Sequence, residues 1–198
     1  MTQTNMSNKL TCFKSYDIRG ELNKNFDTSI CYRIGKAFAT FLNAKTIILG
    51  RDARRSSSNL ADSICQGLFD EGVKVLDLGL AGTEEMYWAT TQYKACGGIE
   101  VTASHNPINF NGLKLVKSDS KPISAKELLE IKILAEKTLA DTGRSTGTRL
   151  NIAYDARSKY VAKVLSFVKV DELKPFKIVV NSGNGAAGPT FDSIAAEL

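Results

Sequence analysis

The stretch Val101-Thr102-Ala103-Ser104-His105-Asn106-Pro107 puts a serine just past a short aliphatic run, 98–101, that reads as a buried strand. Open α/β sheets place their ligands at the carboxyl ends of strands. A serine there can be phosphorylated. His105 and Asn106 can both donate to phosphate oxygens, and Pro107 fixes φ in the turn that follows. Asn111-Gly112-Leu113-Lys114 comes next, a turn and then a lysine that can return to the same place from the following strand. A lysine near phosphate and hydroxyl groups steadies charge or carries a proton. An ordinary polar loop accounts for a single Ser-His pair, but a run of this length followed by Asn-Gly-x-Lys is more than generic turn chemistry. The competing chemistry is a Ser/His/Asp hydrolase. His105 is the only histidine in the chain, and neighbours on an extended strand point to opposite faces, so it is poorly placed as a base for Ser104.

Tyr16-Asp17-Ile18-Arg19-Gly20 offers a planar guanidinium beside a glycine, a pairing suited to bidentate contact with phosphate. Taken alone it reads equally well as a surface turn with an Asp17–Arg19 ion pair. Gly50-Arg51-Asp52-Ala53-Arg54 leads into a helix start near Ser58 and is given a supporting role at an anion site, with a solvated loop as its plain alternative. The glycines at 183, 185 and 188 satisfy Gly-x-Gly-x-x-Gly after a strand-like run. No acidic ribose partner follows, and the lysine of a phosphate-binding P-loop is missing, so a tight strand-to-helix turn is the preferred account.

The elements that must position these residues alternate between β-branched runs and helical periods, the pattern of an α/β fold. Asp27 or Thr28 caps a first helix with Ile30, Ile34, Phe38 and Leu42 on one stripe; residues 46–49 make a strand; Leu60, Ile64 and Leu68 face inward from a second helix that Gly72 ends. Residues 73–80 make a strand, 83–91 a short helix, 98–101 and 113–116 further strands. Ser124 and Glu127 form a capping box for a helix running through Leu139. The Gly/Ser/Thr-rich stretch 141–148 is the expected interdomain linker. Beyond it the pattern predicts a helix over 151–168 with Tyr154, Val161, Leu165 and Val168 inward, a strand over 176–180 and a last helix from about Pro189. One strand and its flanking helices cannot enclose a core, so the chain reads as a first domain, 10–142, followed by the truncated start of a second, 150–198.

Composition narrows the class. With 198 residues, 43% hydrophobic and 24% charged, the chain is an ordinary globular sequence. No apolar run is long enough to span a membrane, and the polar N-terminal stretch has no signal-peptide core, which makes the cytoplasm the default address. Four scattered cysteines without a Cys-x-x-Cys pair read as buried thiols. The net charge of +5 is spread among acids and not interleaved with stacking aromatics, so nucleic acid is not the expected partner.

Together, 13–20, 50–54, 102–107 and 111–114 resemble the opening, second and phosphoserine motifs of the phosphohexomutase superfamily, and 179–188 is similar to the start of that family's second domain. Gly82-Thr83-Glu84-Glu85 and Tyr16-Asp17 look more like its bacterial phosphomannomutase branch than its phosphoglucosamine branch. The resemblance implies a mixed-sheet, three-layer α/β domain and a phosphoserine at Ser104 that exchanges its phosphoryl group with a hexose monophosphate through a bound bisphosphate. It implies that mannose 6-phosphate and mannose 1-phosphate are interconverted, with glucose phosphates or a non-catalytic anion-binding module as alternatives. Lys114 and Arg19 match proton-transfer and charge-stabilising positions; His105 belongs to the same loop; Tyr16, Asn106 and Arg54 match substrate-side positions. Mg²⁺ and a hexose 1,6-bisphosphate activator are the implied cofactors, Ser104 ligating the metal through its phosphate. The family's acidic metal loop, sugar-recognition loop and distal phosphate loop have no counterpart in these residues, so the chain alone is expected to be inactive and to need the remaining domains of the enzyme.

Overall fold

A computed structural model describes residues 9–138, 145–183 and 185–198. Its centre is a six-stranded sheet in the order β1-β5-β4-β2-β3-β6. These strands are β1 (Ile18–Glu21), β2 (Thr46–Arg51), β3 (Lys74–Leu80), β4 (Gly97–Val101), β5 (Phe110–Lys117) and β6 (Thr148–Asn151). β2 pairs in parallel with β3 and β4, and β3 with β6; β5 is antiparallel to both β4 and β1. The α/β fold expected from the alternation is therefore present, with the mixed sheet that the resemblance implies.

Helix α1 (Thr28–Leu42) starts where Asp27 Oδ1 accepts the Ile30 amide at 2.8 Å, and it ends at Asn43, whose φ is 46°. It lies against α2 (Ser57–Asp70) through two glycines. A Cβ on Gly35 would come within 2.5 Å of the Ile64 carbonyl oxygen, and one on Gly67 within 2.1 Å of that of Tyr32. Only hydrogen at those positions lets the backbones come this close. With α4 (Ala125–Lys137), which begins at the expected Ser124–Glu127 capping box, these helices cover one face of the sheet. Between them lies the larger core, including Ile34, Phe38, Ile64, Leu68, Ile99, Val101, Leu113 and Ile131. The other face carries α3 (Thr83–Gln92) and α5 (Ala153–Leu165) over Ile48, Leu76, Leu78, Met86 and Val116.

The second half of the chain departs from expectation. Residues 141–144 of the proposed linker, and Leu139, lie outside the described residues. Thr148, its last residue, opens β6, which extends the first sheet by pairing Lys74 with Thr148 and Asp77 with Asn151. Arg149 fixes that strand by donating to Asp77 Oδ2 at 2.8 Å and Asp62 Oδ1 at 2.6 Å. Residue 150, where the second unit was expected to open, thus falls within a strand of the first sheet. α5 starts at Ala153, not at 151, and turns Ala156 and Val161 inward while Tyr154 is 89% exposed. The sequence stripe had Tyr154 facing a core; the helix instead seats on α3, where Arg157 Nε donates to Glu85 Oε1 at 3.3 Å. No ladder forms over 176–180 among the described residues, and Phe176, Ile178 and Val179 are exposed. A strand requires a neighbour, and these residues have none. The chain closes with α6 (Ala187–Ala195), near the expected start.

Candidate functional site

At the carboxyl end of β4 the chain turns sharply. Ser104 adopts φ 54°, a left-handed conformation that non-glycine residues occupy sparingly and that clusters at functional loops. Its amide donates to Thr102 Oγ1 at 2.9 Å, and the Asn106 amide to the Ala103 carbonyl at 3.1 Å. These two bonds hold the strained turn with the Ser104 side chain exposed at its tip. The same turn corrects an expectation: Ser104 and His105 do not alternate along an extended strand. His105 Nδ1 stands 3.4 Å from Ser104 Oγ, on the same side of the loop. No carboxylate hydrogen-bonds His105 among the described residues, so the orienting third member of a hydrolase triad is missing there.

Two arginines reach the loop from other elements. Arg19, on β1, donates from Nε to the buried Asp17 carboxylate at 2.7 Å and from Nη1 to Asn106 Oδ1, with a 3.5 Å contact to the Ala103 carbonyl. Its guanidinium therefore stands at the serine turn. Arg54, after β2, donates from Nη1 to the carbonyls of Pro107 and Phe110 at 2.9 and 3.1 Å, and from Nη2 to those of Ser104 and Asn106 at 2.8 and 2.6 Å. Asp52 Oδ2 lies 3.4 Å from its Nε. One planar fork thus gathers four carbonyls of residues 104–110, a task a lysine cannot perform.

Asn111 completes the scaffold. It is buried, donates from Nδ2 to Ser56 and Ser57 Oγ at 2.8 and 3.0 Å, and accepts the Gly112 amide. Ser57 Oγ in turn donates to Asp52. This ties the start of α2, the 50–54 loop and β5 into one network.

A cleft of about 370 Å³ opens beside the loop, lined by Asp52, Ala53, Arg54, Thr102, Ser104, Asn106, Ile108 and Gly185. The glycine-rich turn 181–188, read from sequence as purely structural, contributes its Gly185 to this wall. Tyr16 is 77% exposed and lies outside the lining, as does Lys114. Lys114 stands on β5 directly opposite Glu100, while Arg19 stands opposite Gly112, two residues away along β5. Opposed residues of an antiparallel pair share a face, so Arg19, Lys114 and Glu100 project from one side of the sheet. Sequence reasoning counted Thr102 and Asn111 in its motifs without giving either a role, and it passed over Glu100, for which a charged residue inside the otherwise aliphatic 98–101 run was the available signal.

The sequence model described as Phosphoglucomutase/phosphomannomutase, alpha/beta/alpha domain I, matches residues 10–142. The chain belongs to the phosphoglucomutase/phosphomannomutase family. It is 46% identical to a phosphomannomutase of Salmonella montevideo and 47% identical to one of Escherichia coli K12, matches covering 96% of this chain and 42% of each relative. The chain thus spans under half the length of these curated relatives. Among solved structures, a phosphoglucomutase/phosphomannomutase family protein of Burkholderia thailandensis superposes with a TM-score of 0.82 at 28% identity, covering 94% of this chain and 43% of that one.

Proposed function

We propose that this chain supplies the phosphoserine loop of a phosphomannomutase, and that Ser104 carries the phosphoryl group that mannose 6-phosphate and mannose 1-phosphate exchange. The observation that carries the reading is the serine hydroxyl held exposed at a strained turn, braced by Arg54, with the Arg19 guanidinium bonded to Asn106 beside it. The similarity to phosphomannomutases supports the choice of hexose.

In the forward step a hydroxyl of the hexose monophosphate attacks phosphorus. The P–O bond to Ser104 Oγ breaks, a P–O bond to the sugar forms, and the hydroxyl proton is taken up by the Lys114 amine and passed on to the released Ser104 oxygen, which leaves a free serine hydroxyl. The resulting hexose 1,6-bisphosphate turns over in the site and returns its other phosphate to Ser104, leaving the isomer. Phosphoryl transfer depends chiefly on alignment and on neutralising the equatorial oxygens. Arg19 and an N–H of His105 are assigned that charge, Asn106 and the exposed Tyr16 contact the sugar phosphate, and Arg54 holds the loop in register. Mg²⁺ bound to the phosphoserine would supply a Lewis acid; the described residues offer no cluster of three or more His, Cys, Asp or Glu side chains to complete its shell. The remaining ligands and the sugar-recognition loop belong to further domains. We place the enzyme in the cytoplasm, its mannose 1-phosphate feeding GDP-mannose synthesis.

The test uses the complete polypeptide carrying this sequence, assayed with mannose 1-phosphate and catalytic hexose bisphosphate. Ser104→Ala is expected to abolish turnover, while unchanged turnover would remove Ser104 from the chemistry. Wild-type protein that binds phosphosugars without isomerising them would favour a non-catalytic binding module.

A further inference from the structure

Asp17 stands at the entry to β1 with only 5% of its side chain exposed, and among the described residues Arg19 is the side chain that bonds its carboxylate. The backbone fixes both residues. The Lys14 amide donates to the Asp17 carbonyl at 2.8 Å, the Arg19 amide donates to the Cys12 carbonyl at 2.8 Å, and Phe13 bridges Ile18 between them. Two residues apart at the start of a strand, the side chains fall on one side of the chain. Across the sheet, Gly112 of β5 leaves room for the arginine stem, since a Cβ there would come within 3.1 Å of Arg19 Cγ.

The ion pair uses one edge of the guanidinium and leaves the rest for other work. Nε–H goes to Asp17 Oδ2 at 2.7 Å, Nη1 donates to Asn106 Oδ1, and the Ala103 carbonyl lies 3.5 Å from Nη1. A guanidinium carries five N–H donors in one plane. Those on Nη2 have no acceptor among the described residues. Because Asn106 Oδ1 accepts from Arg19, its Nδ2 donors stay free; the reversed amide would set donor against donor. Asn106 lines the cleft beside Ser104. A buried carboxylate is thus linked through two direct hydrogen bonds to the wall of the cleft.

We propose that Asp17 is a positioning residue for the mutase reaction: its bond to Nε sets the plane of the Arg19 guanidinium, so that Nη1 orients Asn106 and Nη2 is left to meet the transferring phosphoryl group. This deepens the mutase reading and rests on it. Without the bond at Nε the arginine stem regains its rotamers, and both the fork and the Asn106 amide lose their fixed direction.

The experiment uses the complete enzyme and compares wild type, Asp17→Asn, Asp17→Ser, Arg19→Met and the Asp17→Asn/Arg19→Met double variant in kcat, KM and Tm. Asparagine keeps the shape and an acceptor oxygen but removes the charge; serine removes the reach as well. Turnover is expected to fall about tenfold in Asp17→Asn and further in Asp17→Ser, with KM within about threefold, since misplacing a group that meets the transition state acts on kcat. In the Arg19→Met background the asparagine should lower turnover no further and should raise Tm, because it removes a buried charge left without its partner. Wild-type turnover in both Asp17 variants overturns the proposal. So does an asparagine effect of equal size in the Arg19→Met background, or a loss of turnover that only follows Tm. A second measurement needs no change at Asp17: in ¹⁵N spectra of the wild-type enzyme, the Arg19 Nε–H signal, assigned by its absence from Arg19→Met, should exchange slowly and stay in place when mannose 1-phosphate is added, while the Nη signals move. Fast exchange at Nε, or its displacement by the sugar phosphate, also overturns the proposal. A wild-type enzyme without mutase activity would instead defeat the functional reading itself.

Discussion

Replacing Arg54 by methionine keeps an apolar stem of similar reach and deletes the fork that gathers the carbonyls of Ser104, Asn106, Pro107 and Phe110. The bonds to Asn106 and Phe110 are partly buried and those to Ser104 and Pro107 exposed, so the latter carbonyls regain water when released. Hydrogen bonds to a charged donor contribute about 1.5–3 kcal/mol when shielded, and exposed ones far less; after that discount the clamp holds the loop by about 2–3 kcal/mol. Each 1.4 kcal/mol is a tenfold factor, so local opening should rise roughly 30- to 140-fold. The assay is native-state amide exchange at Asn106 and Phe110, whose N–H groups bond the Ala103 and Pro107 carbonyls inside the clamped segment. Their exchange should accelerate by that factor while core amides of β2 and β4 change little. Arg54→Lys should behave almost as badly, because one ammonium cannot span four carbonyls. Unchanged exchange at these two amides would refute the clamp.

Three further outcomes follow from packing and charge. Gly50→Ala is expected to cost about 1–3 kcal/mol in denaturant titration, from a Cβ driven into Glu100 Oε2, and Glu100→Ala should relieve it; strictly additive effects would show that the two do not share that space. The Glu127 carboxyl is held down to about 2, first by its hydrogen bond from Lys117 and then by the Ser124 amide and hydroxyl. A depressed acid contributes stability that is present above its ordinary value and is lost as pH falls toward 2. Glu127→Gln should therefore flatten the acid limb of a Tm-versus-pH curve between pH 5 and 2, a limb that would stay the same if neither Lys117 nor the capping box held the carboxylate. Burial pushes the Cys12 thiol up to about 11 and Cys65 up to about 12 and raises that of fully buried Cys31 as well, whereas Cys96 is half-buried. Native titration with a thiol reagent should label Cys96 first, and fast labelling at 12, 31 or 65 would contradict the packing.

How much was legible in the sequence differs between the two halves. Asp27, the Ile34–Phe38 stripe, the Ser124–Glu127 box and the aliphatic runs of the central strands each carry a local signal, and each forms where that signal points. The edge strand β6 carried none: Thr148-Arg149-Leu150-Asn151 is polar, and only pairing to β3 and the reach of Arg149 to Asp62 and Asp77 make it a strand. The run 176–180 is the converse, strongly β-prone in type yet without a neighbour. At the site, the Asp17–Arg19 ion pair that residue types offered as the plain alternative forms, and Arg19 also meets Asn106 of the serine loop. Residue types did not foretell the left-handed Ser104, which puts His105 beside it, because a serine carries no type signal for positive φ; nor the direction of the Arg54 fork, because that depends on carbonyls distant in sequence. Nor could any local pattern show that Gly50 makes room for Glu100 across two strands.

The most direct measurement is of the covalent intermediate. The complete enzyme, mixed with hexose 1,6-bisphosphate labelled in its phosphates, is quenched, digested and mapped by mass spectrometry. Label should appear on the peptide containing Ser104, be lost on chasing with mannose 6-phosphate, and be absent from Ser104→Ala. Label on another residue, or full isomerisation with Ser104 unmodified, would contradict the account.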